Sequence, residues 1–232
     1  MLNSDEPGMG LMHEPINEKA IVKPNYGHED LPEISYRRNS MTYRLLICSM
    51  IVGLLMPCTM AIALPIPGLF NTGVDNSGTP LPNGAVDPHW VLSTGPTGTP
   101  TAIAGNPRPV SWVANTPTSR WVTPLANGSA GTGFGTYTYD LTFDLTGFDP
   151  TTATIAGEWS SDNSSNLLLN GVSFATHTGG GSAFLNFDPF TTSTGFLPGL
   201  NTLTVQVFNQ GGPSGAHVNE LRGDALRIPE PT

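Results

Sequence analysis

The chain has 232 residues, 38% of them hydrophobic, so it is long enough to bury a core, and its formal net charge at pH 7 is −9. From residue 64 onward it contains four arginines, no lysine and eleven acidic residues, a net charge of −7. A segment so poor in cations lacks the basic patch that binds phosphate groups, so nucleic acids and anionic membrane surfaces are excluded as expected partners.

Residues 1–40 differ in composition from everything that follows. They are charged, show no apolar periodicity and contain both lysines of the chain, Lys19 and Lys23. We interpret them either as a disordered extension or as sequence upstream of a true start at Met41. The second interpretation is favoured because a signal peptide normally lies at the extreme N-terminus.

Residues 41–63 have the three parts of a helical secretory signal peptide. Arg44 provides the positive charge, residues 45–56 provide the apolar stretch, and Ala61 and Ala63 form an A-x-A cleavage site. We therefore predict a secreted protein that meets the membrane transiently during export. The expected location is outside the cell.

Two other interpretations of this segment are less favoured. A transmembrane helix needs about 20 apolar residues, and Pro57 interrupts the stretch before that length is reached. A lipid-modified Cys58 is disfavoured because Met56 and Pro57 are bulky where such processing sites carry small residues. Cys48 and Cys58 are the two cysteines of the sequence, so no disulfide is expected in the exported part.

The first half of the exported part is rich in turn residues and has no helical periodicity. Gly, Pro, Asn and Thr dominate residues 64–109 and separate short apolar runs. The runs predict strands at residues 89–92, 101–104, 110–114 and 120–124.

The central stretch, residues 135–174, has the clearest pattern. Large apolar side chains alternate with polar ones, which predicts a strand with one buried face, at Tyr137, Tyr139, Leu141, Phe143 and Leu145. The next predicted elements are a turn at 147–150, a strand at 152–159, a polar loop at 160–166 and a short strand at 167–169. Asn170 and Gly171 then predict a type I′ hairpin turn, because both positions need positive φ.

The last third predicts three more strands. Residues 183–187 alternate weakly, and residues 202–209 alternate well, with Leu203, Val205 and Val207 on one face and threonine and glutamine on the other. Residues 217–228 predict the closing strand, with Val218 facing inward. Strands at this spacing without helices predict an all-β fold, an antiparallel β-sandwich or jelly roll over residues 64–228.

Three segments together resemble secreted bacterial proteins of the PEP-CTERM class, which have a β-sandwich ectodomain. They are residues 69–75 with 86–90, residues 142–172, and residues 195–196 with 199–203. The resemblance extends over 64–228. It implies export, placement at the cell surface or in the extracellular matrix, and the export and sorting machinery as partners.

The sequence ends in Pro229-Glu230-Pro231-Thr232, which resembles the start of the sorting segment of that class. In the class, a hydrophobic helix and a basic tail follow, and an exosortase-type enzyme processes them. Neither follows here, so we expect residues 229–232 to begin a truncated sorting segment whose membrane anchor is missing.

The central stretch also resembles galactose-binding-like, jelly-roll carbohydrate-binding modules. Trp159, Asp162, Asn163, Asn170 and Gly171 follow the order of a Trp-x-x-Asp-Asn segment and a strand that ends in Asn-Gly. The resemblance implies a polysaccharide or another matrix component as the ligand.

A sugar site needs an aromatic platform and short polar side chains that bond to hydroxyl groups. The candidates are Trp90, Trp112 and Trp121 for the platform and Asp162, Asn163 and Asn166 for the polar groups. In the alternative interpretation, most tryptophans are core residues, Trp159 above all, and Asp162 and Asn163 cap a turn. If every tryptophan is buried, the glycan hypothesis loses its main support.

A cofactor is not expected, and a structural calcium ion is the one metal considered. Asp75 and Asp87 lie in turn-rich loops and offer carboxylate oxygens, but the EF-hand pattern is absent.

Catalysis is not expected either. His89, His177 and His217 have no Cys or acidic neighbour at ligand spacing, and neither G-x-S-x-G nor H-E-x-x-H occurs. Glu158 and Asp162 could form a glycosidase pair, but we interpret them as surface carboxylates. The sequence thus predicts a secreted, non-catalytic β-sandwich that binds carbohydrate, or alternatively a structural or adhesive matrix protein without a small ligand.

Overall fold

The computed structural model describes residues 62–96, 103–104 and 107–229, which fall within one compact unit. The predictions for residues 1–40, for the signal peptide before Ile62 and for the sorting segment after Pro229 lie outside these residues. Within the part that the structure describes, no helix has the length and hydropathy of a membrane span.

Short strands separated by turns make up the fold, together with two 3-10 helices. The strands are β1 Ala63–Pro65, β2 Trp90–Thr94, β3 Ile103–Ala104, β4 Val122–Thr123, β5 Gly135–Asp144, β6 Thr154–Asp162, β7 Ser164–Leu169, β8 Val172–Thr176, β9 Asp188–Thr192, β10 Leu200–Asn209 and β11 Gly215–Leu226. The 3-10 helices are Pro150–Thr152 and Gly180–Leu185.

The strands form two antiparallel sheets. The six-stranded sheet has the order β3-β4-β11-β6-β9, with β1 paired to the far end of β11. The five-stranded sheet has the order β2-β5-β10-β7-β8. The predicted antiparallel β-sandwich of jelly-roll type is therefore confirmed.

The core lies between the sheets and follows the alternation read from the sequence. All five apolar residues of the central strand prediction are buried, as are Leu203, Val205, Val207 and Val218. The strands β5 and β10 pair along their whole length, from Leu200 opposite Asp144 to Asn209 opposite Gly135. Such pairing places every second residue of both strands in the core.

Three predicted elements are wrong. The polar stretch 160–166 is not a loop but the end of β6 and the start of β7. Its serines are tolerated inside because they bond to one another: Ser161 Oγ donates to Ser165 Oγ at 2.6 Å. Residues 110–114 contain no strand, and residues 183–187 begin within a 3-10 helix.

A second buried layer covers the outer face of the six-stranded sheet. Because Ala216 and Val218 point into the core, their neighbour His217 points outward, yet it is fully buried. Trp121 and Phe187 cover it, with ring centroids 5.3 Å and 4.8 Å from its own. This face is therefore closed to solvent at His217.

Candidate functional site

The four tryptophans are buried, with exposed fractions between 0% and 3%. Trp90 and Trp159 belong to the core between the sheets, and Trp112 packs on Trp121 in the second layer, with ring centroids 4.1 Å apart. The prediction of Trp90, Trp112 and Trp121 as a sugar platform is wrong, because none offers a ring face to solvent. The alternative interpretation of the tryptophans as core residues is confirmed.

Asp162 is also buried, at 6% exposure, and its Oδ2 accepts a hydrogen bond from Trp112 Nε1 at 2.8 Å. It is therefore not a surface ligand for sugar hydroxyls. Trp112 occupies the space above Gly215, the cross-strand partner of Asp162, where a Cβ atom would lie 3.1 Å from the indole ring. The missing side chain of Gly215 lets the indole reach the carboxylate.

The two asparagines of the predicted site lie apart from the tryptophans. Asn163 joins two turns, since its Oδ1 accepts from Gln210 N at 2.7 Å and its Nδ2 donates to Gly181 O at 3.2 Å. The proposed Asx cap at residues 162 and 163 is thus wrong, because the bonds reach across the fold instead of along the chain. Asn166 alone lies on an open face, that of the five-stranded sheet.

Burial sets the charge state of the second layer. It raises the pKa of Asp162 to about 6, although the bond from Trp112 acts in the opposite direction. Burial also lowers the pKa of His217 to about 3, and the positive charge of Arg108 contributes to this shift. The histidine is consequently neutral at physiological pH.

The carboxylates of the calcium prediction are used by the protein itself. Asp75 Oδ1 accepts from Ser77 N, Ser77 Oγ and Thr79 N, which lowers its pKa. Asp87 is buried, which raises its pKa, and it accepts three backbone N–H bonds. Within the described ranges, no group of three metal-ligating side chains occurs. Calcium binding stays an untested hypothesis.

One contact has the chemistry of a nucleophile and a base. Ser119 Oγ lies 2.8 Å from His217 Nε2, but both side chains are fully buried, and Ser119 Oγ also donates to Asn219 Oδ1 at 2.8 Å. No substrate can reach this pair without opening the second layer. Glu158 and Asp162 are likewise unsuitable as a glycosidase pair, because Glu158 accepts from Asn219 Nδ2 at 2.7 Å and Asp162 is buried.

The outer face of the five-stranded sheet has a different character, because it carries a row of polar side chains across all five strands. The row consists of residues directly opposite one another: Thr94, Thr138, Gln206, Asn166 and Thr176. Hydrogen bonds at both ends of the row orient its side chains. Thr94 Oγ1 donates to Thr138 Oγ1 at 2.7 Å, and Thr176 Oγ1 donates to Asn166 Oδ1 at 2.8 Å. Four strand spacings give this polar row a length of about 19 Å.

An exposed aromatic residue borders the polar row. Phe208 is 37% exposed and lies between its cross-strand partners Thr136 and Ser164, on the same face of β10 as Gln206. It provides the accessible apolar surface that the tryptophans do not. The alternation of residues 202–209 would have shown it, since Phe208 is in phase with the polar face.

The charge of this sheet is negative. In its five strands the charged residues are Asp140 and Asp144, and no Lys, Arg or His occurs. The arginines from residue 64 onward lie outside this sheet: Arg108, Arg120, Arg222 and Arg227.

A depression of about 540 Å³ opens where β2 and β5 border the N-terminal segment, the part of the chain between β1 and β2 that includes Gly68 and Phe70. We call it the β2 depression; its lining includes Phe70, His89, Ser93, Asp140 and Thr142. The rings of Phe70 and His89 stack in parallel, with centroids 3.5 Å apart and an interplanar angle of 3°. The volume is within the range of small-ligand sites in proteins.

No family model matches the chain, and no curated protein matches it. Solved structures that it resembles include a cyclase from Fischerella sp. TAU, at 15% identity and a TM-score of 0.42, covering 73% of this chain and 99% of that one. A family 35 carbohydrate binding module from an environmental isolate has 9% identity and a TM-score of 0.33, with coverage of 60% and 98%. CBM35 from Paenibacillus barcinonensis has 11% identity and a TM-score of 0.28, with coverage of 68% and 98%. These values are too low to carry any conclusion about a ligand or an activity.

Proposed function

We propose that this chain is a secreted, non-catalytic β-sandwich of the bacterial cell surface or extracellular matrix that binds a polysaccharide on the outer face of its five-stranded sheet. The polar row supports the proposal, because amide and hydroxyl groups placed across five strands can bond to successive hydroxyl groups of an extended sugar chain. Phe208 beside it adds an apolar surface on which a sugar ring can pack.

Export rests on the sequence pattern of residues 41–63. The resemblance to PEP-CTERM proteins adds surface sorting through the segment that begins at residue 229. The absence of an accessible nucleophile in the second layer supports a non-catalytic role, because Ser119 and His217 are both fully buried.

The experiment is a glycan array probed with the full chain, followed by calorimetric titration of the best oligosaccharide. Gln206→Ala and Phe208→Ala should each weaken binding about tenfold, a loss of roughly 1.4 kcal/mol. Gln210→Ala is the matched control, because Gln210 is exposed in the turn after β10 and its backbone bond to Asn163 does not need its side chain. Equal affinity of all variants would place the ligand elsewhere.

A second candidate function is a structural or adhesive matrix protein without a small ligand. The burial of Trp90, Trp112, Trp121 and Trp159 favours it, because the sugar platform expected from the sequence is absent from the surface. Absence of binding to every polysaccharide class on the array would establish this alternative over the first.

A further inference from the structure

From the geometry of the β2 depression, we infer that it is a subsite for one neutral sugar unit at the end of the polar row. The inference rests on the proposed function and adds to it a second contact region and the charge class of the ligand. Asp140 lies beside both regions, since it lines the β2 depression and is two residues along β5 from Thr138 of the polar row, on the same face.

The lining has the mixture of groups that a sugar unit needs. The stacked rings of Phe70 and His89 supply apolar surface, and Ser93 and Thr142 supply hydroxyl groups. The carboxylate of Asp140 supplies acceptors for hydroxyl groups, and hydrogen bonds to a charged acceptor are stronger than those between neutral groups.

Asp87 holds the two loops of the β2 depression together before any ligand arrives. Its Oδ2 accepts from Gly73 N at 2.6 Å, and its Oδ1 accepts from His89 N at 2.8 Å and from Trp90 N at 3.0 Å. Trp90 Nε1 in turn donates to Phe70 O at 2.9 Å. Both rings are thereby fixed at their backbones, so ligand binding orders little additional structure.

The charged side chains that line the β2 depression determine which class of sugar can bind there. Among the residues that the structure describes, Asp140 is the carboxylate that lines the β2 depression, and no arginine or lysine lines it. A uronate or sulfate group bound there would lie near the Asp140 carboxylate without an arginine or lysine to compensate, which is unfavourable. The expected ligand is therefore a neutral polysaccharide.

The test uses the full chain and calorimetric titration with neutral hexasaccharides of glucose, xylose and mannose and with oligogalacturonate. A neutral hexasaccharide should bind, and Phe70→Leu and Asp140→Asn should each weaken it about tenfold or more. Asp144→Asn is the matched control, on the same strand and face but outside the lining, and should stay within about twofold. Melting curves of the variants check that they remain folded.

The outcomes separate the two claims. If Gln206→Ala weakens the binding of a neutral hexasaccharide but Phe70→Leu and Asp140→Asn do not, the subsite is overturned and the proposed function stands. Tight binding of oligogalacturonate that Asp140→Asn strengthens would also overturn the neutral class while retaining glycan binding. If no sugar binds in any form, the proposed function fails and this inference fails with it.

Discussion

Two side chains on the outer face of the six-stranded sheet, Asp162 and His217, have pKa values shifted in opposite directions. The folded protein keeps a proton on Asp162 up to a pKa of about 6, so this group's contribution to the free energy of unfolding falls as the pH rises from about 4 to 6. His217 stays neutral down to a pKa of about 3, so its contribution rises with pH from about 3 to 6.5. Between about pH 4 and 6 the two contributions oppose each other.

Replacing one of these two side chains should reveal the pH dependence that the other contributes to the free energy of unfolding. In Asp162→Asn, the free energy of unfolding should rise with pH more steeply than in the unmodified protein. The difference in slope should reach up to about 1.4 kcal/mol per pH unit between pH 4 and 6. His217→Gln should show a falling trend of similar size. Urea unfolding at pH 4, 5 and 6 measures both, and parallel profiles for all three proteins would contradict the assigned protonation states.

The sequence predicts the buried residues of the main core but not those of the second layer. Alternation identifies Tyr137 or Val205 as inward because a strand has two faces and only one meets the opposite sheet. The same rule assigns His217 to solvent. It is buried because Trp121 and Phe187, distant in sequence, pack over it, and no local pattern encodes such a contact.

At the scale of elements, the hairpin between β7 and β8 is the prediction that the sequence supports most directly, and it is confirmed. Asn170 and Gly171 have φ angles of 52° and 82°. The side chain of Asn170 does more than permit the turn. It donates to Gly195 O and Asn201 Oδ1 at 2.8 Å and accepts from Thr202 N at 2.9 Å, so it joins the turn to β10 and to the segment before it.

The substitution Asn170→Gly tests whether the side chain of Asn170 stabilises the fold, because glycine keeps the positive φ and removes the three side-chain bonds. At roughly 1 kcal/mol for each bond, the free energy of unfolding should fall by about 2 to 4 kcal/mol. Asn127→Gly is the control, since Asn127 is exposed and its side chain accepts one bond, from Ser129 N. Equal losses in the two variants by urea unfolding would show that the three bonds of Asn170 stabilise the fold no more than the single bond of Asn127.

A strand is harder to predict from the sequence where polar residues lie in the interior than where apolar residues do. Residues 160–166 predict a loop because their four serines, two asparagines and one aspartate favour turns. In the fold, Ser160 Oγ donates to Ala183 O and Ser161 Oγ to Ser165 Oγ, at 2.8 Å and 2.6 Å. Ala183 is 23 residues from Ser160, and Ser161 and Ser165 belong to two different strands, so local composition does not indicate that these serines are satisfied inside.

At the scale of the whole molecule, the outer faces of the two sheets have different environments. The six-stranded sheet is covered at Asp162 and His217, whereas the five-stranded sheet exposes Gln206, Asn166 and Phe208 in part. Both faces carry polar residues in the sequence, so composition does not tell them apart. Of the six residues predicted for the sugar site, Asn166 alone lies on this open face.

The hydroxyl group of Thr72 joins three parts of the molecule. Its Oγ1 donates to Arg120 O at 2.7 Å and accepts from Val218 N at 2.9 Å, linking the N-terminal segment, the approach to β4 and strand β11. Thr72→Val keeps the shape but leaves the buried N–H of Val218 without that acceptor, so the free energy of unfolding should fall by about 2 to 4 kcal/mol. The exposed Thr191→Val in β9 should change it by less than about 0.5 kcal/mol. If urea unfolding gave both variants the stability of the unmodified protein, this hydroxyl group would contribute nothing to anchoring the N-terminal segment on the six-stranded sheet.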